Sequence, residues 1–377
     1  MVKETAGSRK QRRRTATKRD EIISFYRGKI LSGSLASGEQ LPTHEEVRLK
    51  FKTGSVTVQK AFDILAEQGF VNTIPGHLSV VSEKLPSSSR IAVVIPGSDN
   101  LLENRFFMSL FNMVKKKQVH SEYDFEPYLI NLMRGEADDD DSFRLSRDAS
   151  SNALKGVVLA TTPTIEDREL KRIQKTCPIV LLRSDPADYS LTSCLFIDHY
   201  GSFFEKSVEL AKASGRRQVA LFLNGTISDK NIGKILKLIA DSNLEIRPEW
   251  LHGFDISQPK WAANVAGLLF SQEKSKRPDT LFIMDDNLVE DVSAALKNIA
   301  GLSPDELLVV AHANYPEITK SHFPAKRVGF DVLEILEKSG MMIDRLRQKP
   351  GRRLTESVKA VHISDGNTSQ CISKEEK

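Results

Sequence analysis

The sequence predicts an α/β protein in two parts: a small, basic head of three helices and a hairpin, and a larger body of two parallel sheets. Three observations predict it. Residues 1–90 hold 16 Lys/Arg against 9 Asp/Glu, a net +7, whereas residues 91–377 hold 38 against 41, a net −3. Apolar positions in the first 82 residues repeat with helical spacing and then alternate like paired strands. From Ile91 onward, short apolar runs alternate with amphipathic stretches, as in sheets covered by helices on both faces. At about 100–200 residues per domain, 377 residues suffice for two or three domains, and 40% hydrophobic residues can fill ordinary cores.

Several classes are excluded. No apolar run approaches the roughly 18 residues of a membrane helix. The basic N-terminus (Arg9, Lys10, Arg12, Arg13, Arg14, Lys18, Arg19) is followed by no apolar stretch of a secretory signal. Three scattered cysteines, Cys177, Cys194 and Cys371, make neither a disulfide framework nor a zinc site. The expected compartment is the cytoplasm, so Asn224-Gly225-Thr226 and Asn367-Thr368-Ser369 read as chance glycosylation triplets. Phosphate-loop, zinc-hydrolase and serine-elbow motifs are absent, and neither an enzyme nor a metal or cofactor is expected.

Residues 1–17 read as a basic disordered arm suited to phosphate contact. Ile22, Tyr26 and Ile30 form one helical stripe over about 18–33. Thr43 with Glu46 fits a capping box opening a helix over about 43–51 that buries Val47 and Phe51. Val58, Ala61, Phe62 and Leu65 give the next helix a core face from Ser55 to Gly69. Phe70–Ile74 and Leu78–Val81 alternate as strands around Pro75-Gly76. Helix, helix, turn, helix and hairpin over 18–82 make a winged helix-turn-helix, whose third helix fits a major groove. Residues 83–90, Pro- and Ser-rich, read as a linker.

In the body, strands are expected at 91–96, 125–130, 156–160, 178–183, 195–198, 219–223, 280–284 and 307–311. Helices are expected at about 104–119, 200–214, 229–242, 259–271, 286–299 and 326–347. The inner face of the first of these helices takes Phe107, Leu110, Phe111 and Val114. Asp138–Asp141 reads as a solvated loop before a helix. Residues 91–377 are many for one such sheet, so two Rossmann-like lobes with a crevice at the strand carboxyl ends are expected over 91–364. The first lobe takes about 91–197 and 318–347, the second about 200–314 and 354–364, with a tail at 365–377.

Ile30-Leu31-Ser32-Gly33-Ser34-Leu35-Ala36-Ser37-Gly38-Glu39-Gln40-Leu41-Pro42-Thr43, continued by Thr57-Val58, Ala61, Leu65 and Glu67–Val71, resembles the GntR family of bacterial regulators over residues 18–82. The family's usual DNA-contacting arginines are replaced here by Glu45, Ser55 and Gln59. The resemblance therefore leaves Thr43, Ser55, Thr57, Gln59 and Lys60, with His77 in the wing, as DNA-binding candidates. Gln can bond adenine in two places, and Ser and Thr reach phosphates or bases.

The body resembles the periplasmic-binding-protein-like effector domain of LacI/GalR regulators. The matching runs are Asn104–Phe107, Lys155–Leu159, Cys177–Leu182, Ile197–Gly201, Ala213–Ala220 and Lys276–Asp286. A GntR-type head on such a body is the architecture of arabinose-repressor-like regulators. The resemblance implies a homodimer on a palindromic double-stranded operator, a small-molecule effector of which a carbohydrate is one class, and repression. Its three polar sugar anchors fall at Lys230 (usually Arg), Asp285 and Ala313 (usually Asp). Phe106, Phe107, Arg183, Lys230, Asp285, His312 and Asn314 are the effector-binding candidates. The altered anchors leave an alternative, a degenerate cleft serving binding or dimerisation without control of DNA affinity. A fused pyridoxal-phosphate enzyme is excluded by the body's length and rhythm.

Overall fold

A computed structural model describes residues 17–31, 34–72, 79–82, 90–97, 104–116, 123–130, 140–150, 153–160, 167–184, 192–349 and 351–363. The chain divides into two compact units, residues 1–88 with 147–153, and residues 89–146 with 154–377.

The first unit opens with α1 (Lys18–Leu31), α2 (His44–Phe51) and α3 (Ser55–Glu67). The capping box is formed: the Glu46 amide donates to the Thr43 hydroxyl at 3.2 Å, and the Thr43 amide donates to the Glu46 carboxylate at 2.7 Å. Ile22, Tyr26 and Ile30 of α1 pack with Val47 and Phe51 of α2 and with Val58, Ala61, Phe62 and Leu65 of α3. Each set is spaced at three and four residues, so each helix turns one stripe inward. The wing strands are β1 (Val71–Asn72) and β2 (Val80–Val81), antiparallel with Val71 opposite Val81. Gln40 bridges to Val80, which ties the α1–α2 connector to the wing. The hairpin turn, His77 and the basic arm lie outside the described residues.

The second unit holds two six-stranded sheets. In the first, β3 (Arg90–Pro96), β4 (Asp124–Ile130), β5 (Gly156–Leu159), β6 (Ile179–Arg183), β7 (Ser193–Ile197) and β13 (Thr355–Val358) run parallel in the order β13-β7-β6-β5-β3-β4. The second contains β8 (Val219–Asn224), β9 (Leu251–Phe254), β10 (Thr280–Ile283), β11 (Leu308–Tyr315), β12 (Lys326–Asp331) and β14 (Val361–Ile363), in the order β14-β12-β11-β10-β8-β9. Only β14 runs antiparallel to its neighbour. The helices are α4 (Arg105–Lys115), α5 (Asp140–Ser150), α6 (Asp167–Ile173), α7 (Ser202–Ala213), α8 (Asp229–Asp241), α9 (Pro259–Phe270), α10 (Val289–Lys297) and α11 (Val332–Gln348). The central strands are buried on both faces, which is why they read as unbroken apolar runs.

The fold corrects several expectations. Residues 326–331 are strand β12, not the start of a helix: Gly329 pairs with Ala313 of β11, and a Cβ there would fall 1.8 Å from the Ala313 carbonyl oxygen. The helix begins at Val332, with the Asp331 carboxylate accepting from the Leu333 amide at 2.8 Å. The lobe assignments change accordingly. Strand β12 belongs to the second sheet, although 318–347 was expected in the first lobe, and β13 belongs to the first sheet, although 354–364 was expected in the second. The chain therefore passes between sheets after β7, after β12 and after β13. Helix α4 ends at Lys115 and buries Ser109, Leu110, Met113 and Val114, leaving Phe107 and Phe111 half-buried. Helix α10 starts three residues later than expected, because Asp285-Asp286-Asn287 form a turn.

Candidate functional site

A cavity of about 290 Å³ lies between the two lobes, at the carboxyl ends of their strands. That is the crevice open parallel sheets offer to ligands. Arg183 closes β6, Asn224 closes β8, and His312 and Asn314 sit two apart near the end of β11, so they share one face.

The turn after β10 is the polar centre. One Asp285 carboxylate oxygen accepts from the Asn287 amide at 3.0 Å and from Asn287 Nδ2 at 2.7 Å; the other accepts from Asn224 Nδ2 at 3.2 Å. Asp286 is buried, and its Oδ2 accepts from Asn314 Nδ2 at 2.8 Å. Its Oδ1 is 3.8 Å from His312 Nδ1, too far for a hydrogen bond. Burial, then the adjacent Asp286 carboxylate, raise the Asp285 carboxyl above the usual range. Asp285 thus anchors the turn rather than capping α10.

A histidine pair forms the floor. His199, in the passage from β7 to α7, stacks on His312 with ring centroids 5.0 Å apart, and both rings lie against Phe330. Burial, then His312, hold His199 well below the ordinary imidazole value, so it is neutral at pH 7. His312 and Asn314 are each 2% exposed. Neither ring nitrogen of His312, nor Asn314 Oδ1, has a hydrogen-bond partner among the described residues. A buried polar atom without a partner costs about 1–3 kcal/mol. His312 and Asn314 both belong to the cavity wall.

The opposite wall comes from the start of α4. Asn104 caps it, its side-chain oxygen accepting from the Phe107 amide at 3.2 Å, and sets Phe106 and Phe107 against the cavity. Aromatic faces beside amides, carboxylates and a guanidinium suit a small ligand with both polar edges and an apolar face.

Of the sequence-derived effector candidates, Phe106, Phe107, Arg183, Asp285, His312 and Asn314 line this one cavity. Lys230 does not. It is exposed on the first turn of α8, whereas its neighbour Asn231 is buried. Successive residues on a helix point about 100° apart, so an alignment off by one position misplaces a side chain. Sequence reasoning missed His199, Asn224, Asp286 and Asn287. All four lie at or within four residues of a strand end, and that position was the available signal.

The head places its candidates on a second surface. Ser55, Gln59 and Lys60 are exposed on α3, opposite its buried face, and Thr57 is half-buried. Gln59 Nε2 donates to Asp63 at 2.8 Å. Thr43 is occupied by its cap. Glu45, at the family's usual arginine position, pairs with Arg48, whose Nε donates to it at 2.8 Å. Arg48 is a cation on this unit that the sequence reading passed over.

The described cysteines, Cys177 and Cys194, are buried and free. Burial pushes the Cys177 thiol up to about 11, so it is no nucleophile at neutral pH. Among the described residues, no group of three His, Cys, Asp or Glu is arranged to hold a metal ion, and no helix is long and apolar enough to cross a membrane.

Residues 20–81 match the family model for bacterial regulatory proteins of the gntR family. One curated relative, the HTH-type transcriptional repressor PurR of Aliivibrio fischeri, is 28% identical over 121 residues, 30% of this chain. The match spans about a third of that relative's length (34%). A LacI family regulator from Lactobacillus casei, solved with bound glucose, is similar at a TM-score of 0.52 and 19% identity, over 73% of this chain and 98% of its own. A cellobiose complex of the transcriptional regulator CelR is similar at a TM-score of 0.53 and 14% identity, over 86% of this chain and 99% of its own. The body therefore has the fold of LacI-family regulators.

Proposed function

We propose, from a gntR-family segment at residues 20–81 and a body with the fold of LacI-family regulators, that this chain is a sequence-specific DNA-binding transcriptional regulator controlled by a small molecule. The observation that carries the reading is the placement of the gntR match on a unit whose α3 buries one face and exposes Ser55, Gln59 and Lys60 on the other. Those side chains, with Thr57, read the major groove, and His77 and the basic arm add contacts from the wing and N-terminus. Thr43 positions α2. Two copies form a homodimer on a palindromic operator in the cytoplasm, and the action is repression. No catalysis is assigned.

The effector enters the crevice between the lobes. Asp285, Asn314 and His312 take its hydroxyls, Arg183 takes an acceptor, and Phe106 and Phe107 cover its apolar face. Glucose and cellobiose in the similar regulators support a carbohydrate. Effector binding favours one lobe arrangement and, through it, one spacing of the two heads; the shift equals the differential affinity for the two states.

A second reading has one observation in its favour. Lys230 is exposed and Ala313 is fully buried, so two of the three sugar anchors implied by the resemblance are missing. On that reading the crevice binds without controlling DNA.

The test is binding of the full chain to promoter-length duplexes at several salt concentrations. The expected result is a log affinity falling linearly with log salt, as phosphate contacts require. Salt-insensitive binding, or none, contradicts the proposal.

A further inference from the structure

The first lobe carries another cavity, of about 450 Å³, at the amino-terminal edge of its sheet, the end away from the crevice. Lys175, Arg347, Arg352 and Arg353 line it, and among the described residues no carboxylate does. Among the described residues none of these four cations is in an ion pair. The Arg347 guanidinium donates to the Lys155 carbonyl at 2.9 Å, and no described side chain accepts from the others. The cavity also reaches Thr192, which is 5% exposed and whose Oγ has no hydrogen-bond partner among the described residues. Beside it, the Ser193 hydroxyl oxygen accepts from the Leu354 amide at 3.0 Å, which leaves its proton to donate.

Helices α6 and α11 end beside this cavity, and cations there complement their carbonyl termini. That need is small. A helix carboxyl end presents about half a negative charge, so the two together balance about one of the four cations. Roughly three positive charges then remain around a concave, ligand-sized space. Guanidinium groups match phosphate oxygens in pairs, and buried hydroxyls add directional donors.

We propose that this cavity is a second ligand site and that it takes a small anion carrying a di- or triphosphate group. Charge selects the class: about three uncompensated cations match such a chain better than a single phosphate. Concavity and the buried Thr192 hydroxyl favour a free small anion over the backbone of duplex DNA, whose phosphates remain on its outer surface.

The test is isothermal titration of the full chain with inorganic pyrophosphate and tripolyphosphate, at constant ionic strength, against inorganic phosphate. The double substitution Arg352→Gln/Arg353→Gln alters exposed side chains, and Thr192→Val removes one hydroxyl at constant size. Pyrophosphate should bind at one site at least tenfold more tightly than phosphate. The double variant should lose at least tenfold, Thr192→Val about threefold or more, and Asp285→Asn nothing, placing the site outside the crevice. The proposal is overturned if pyrophosphate gives no heat, if the double variant binds it equally, or if Asp285→Asn abolishes binding. It is also overturned if the double variant changes only the salt slope of duplex binding, which would assign the cluster to DNA.

Discussion

Arg105, on the first turn of the first lobe's α4, and Glu290, on the second lobe's α10, meet at 2.9 Å beside the crevice. The Arg105 amide also donates to Asn287 Oδ1 at 3.0 Å, linking this tie to the turn that holds Asp285. Farther along α4, Asn112 Nδ2 donates to Glu317 at 2.9 Å. The lobes are thus latched by polar contacts, and the side chains of Arg105 and Glu290 are about two-fifths exposed.

An exposed pair contributes about 0–1 kcal/mol, so Arg105→Ala should change unfolding free energy by about 0.5 kcal/mol or less. Its effect should appear in the crevice instead. Stopped-flow measurement with a bound sugar should show dissociation about three- to tenfold faster, because the latch acts only when the lobes are together. Unchanged dissociation would show that the pair is ornamental.

Stability should depend on pH through His199. Its native pKa lies well below the ordinary 6.5. Above about pH 6.5 both folded and unfolded forms hold it neutral. Below that, the unfolded chain binds a proton that the native state refuses. Stability therefore falls with falling pH, by at most about 1.4 kcal/mol per pH unit, until the native pKa is reached. Asp285, raised by burial, has the opposite sign: its contribution is present at low pH and is lost as pH rises through its native value. Urea denaturation of wild type and His199→Asn between pH 5 and pH 7.5 isolates the histidine; parallel curves would remove it from the account.

Gly329→Ala should destabilise the second lobe by about 3 kcal/mol or more, since the new Cβ meets backbone that cannot step aside. Gly233→Ala is the contrasting case. That glycine lies inside α8 with nothing within 4 Å, so alanine should stabilise by about 0.5–1 kcal/mol. Calorimetry of the two variants checks both signs.

Thr43→Ala should lose about 1 kcal/mol of stability in the head, from the broken capping box. Lys60→Gln should leave stability within about 0.5 kcal/mol and reduce the salt slope of DNA binding by about 1. A stability loss without any change in slope would place Lys60 off the DNA.

The head was legible because its helices carry complete periodic stripes, and Thr43 with Glu46 marked a boundary that the hydrogen bonds reproduce. The body's longer strands were legible as apolar runs. Strands β9 (Leu251-His252-Gly253-Phe254), β13 (Thr355-Glu356-Ser357-Val358) and β14 (Val361-His362-Ile363) mix polar residues into three or four positions and so show no apolar run, unlike the equally short β5 and β10. Residues 326–331 misled because Lys326, Arg327 and Asp331 look like the polar turn of the helix they precede, and only pairing with β11 shows the strand. At the crevice, Asp285, His312 and Asn314 were reached through the resemblance to LacI/GalR regulators, and they sit at or just past strand ends. His199 also follows a strand end, but its stacking on His312, 113 residues away in sequence, is made only by the fold.

Control of DNA binding by the crevice is decided by one comparison. Duplexes recovered from a genomic library by the full chain would be titrated by fluorescence anisotropy, with and without a panel of mono- and disaccharides, for wild type and Asp285→Asn. Both proteins should bind the recovered duplex equally without sugar, and wild type alone should change its affinity at least tenfold with one sugar. Recovery of no duplex, or a sugar response that persists undiminished in Asp285→Asn, would contradict that control.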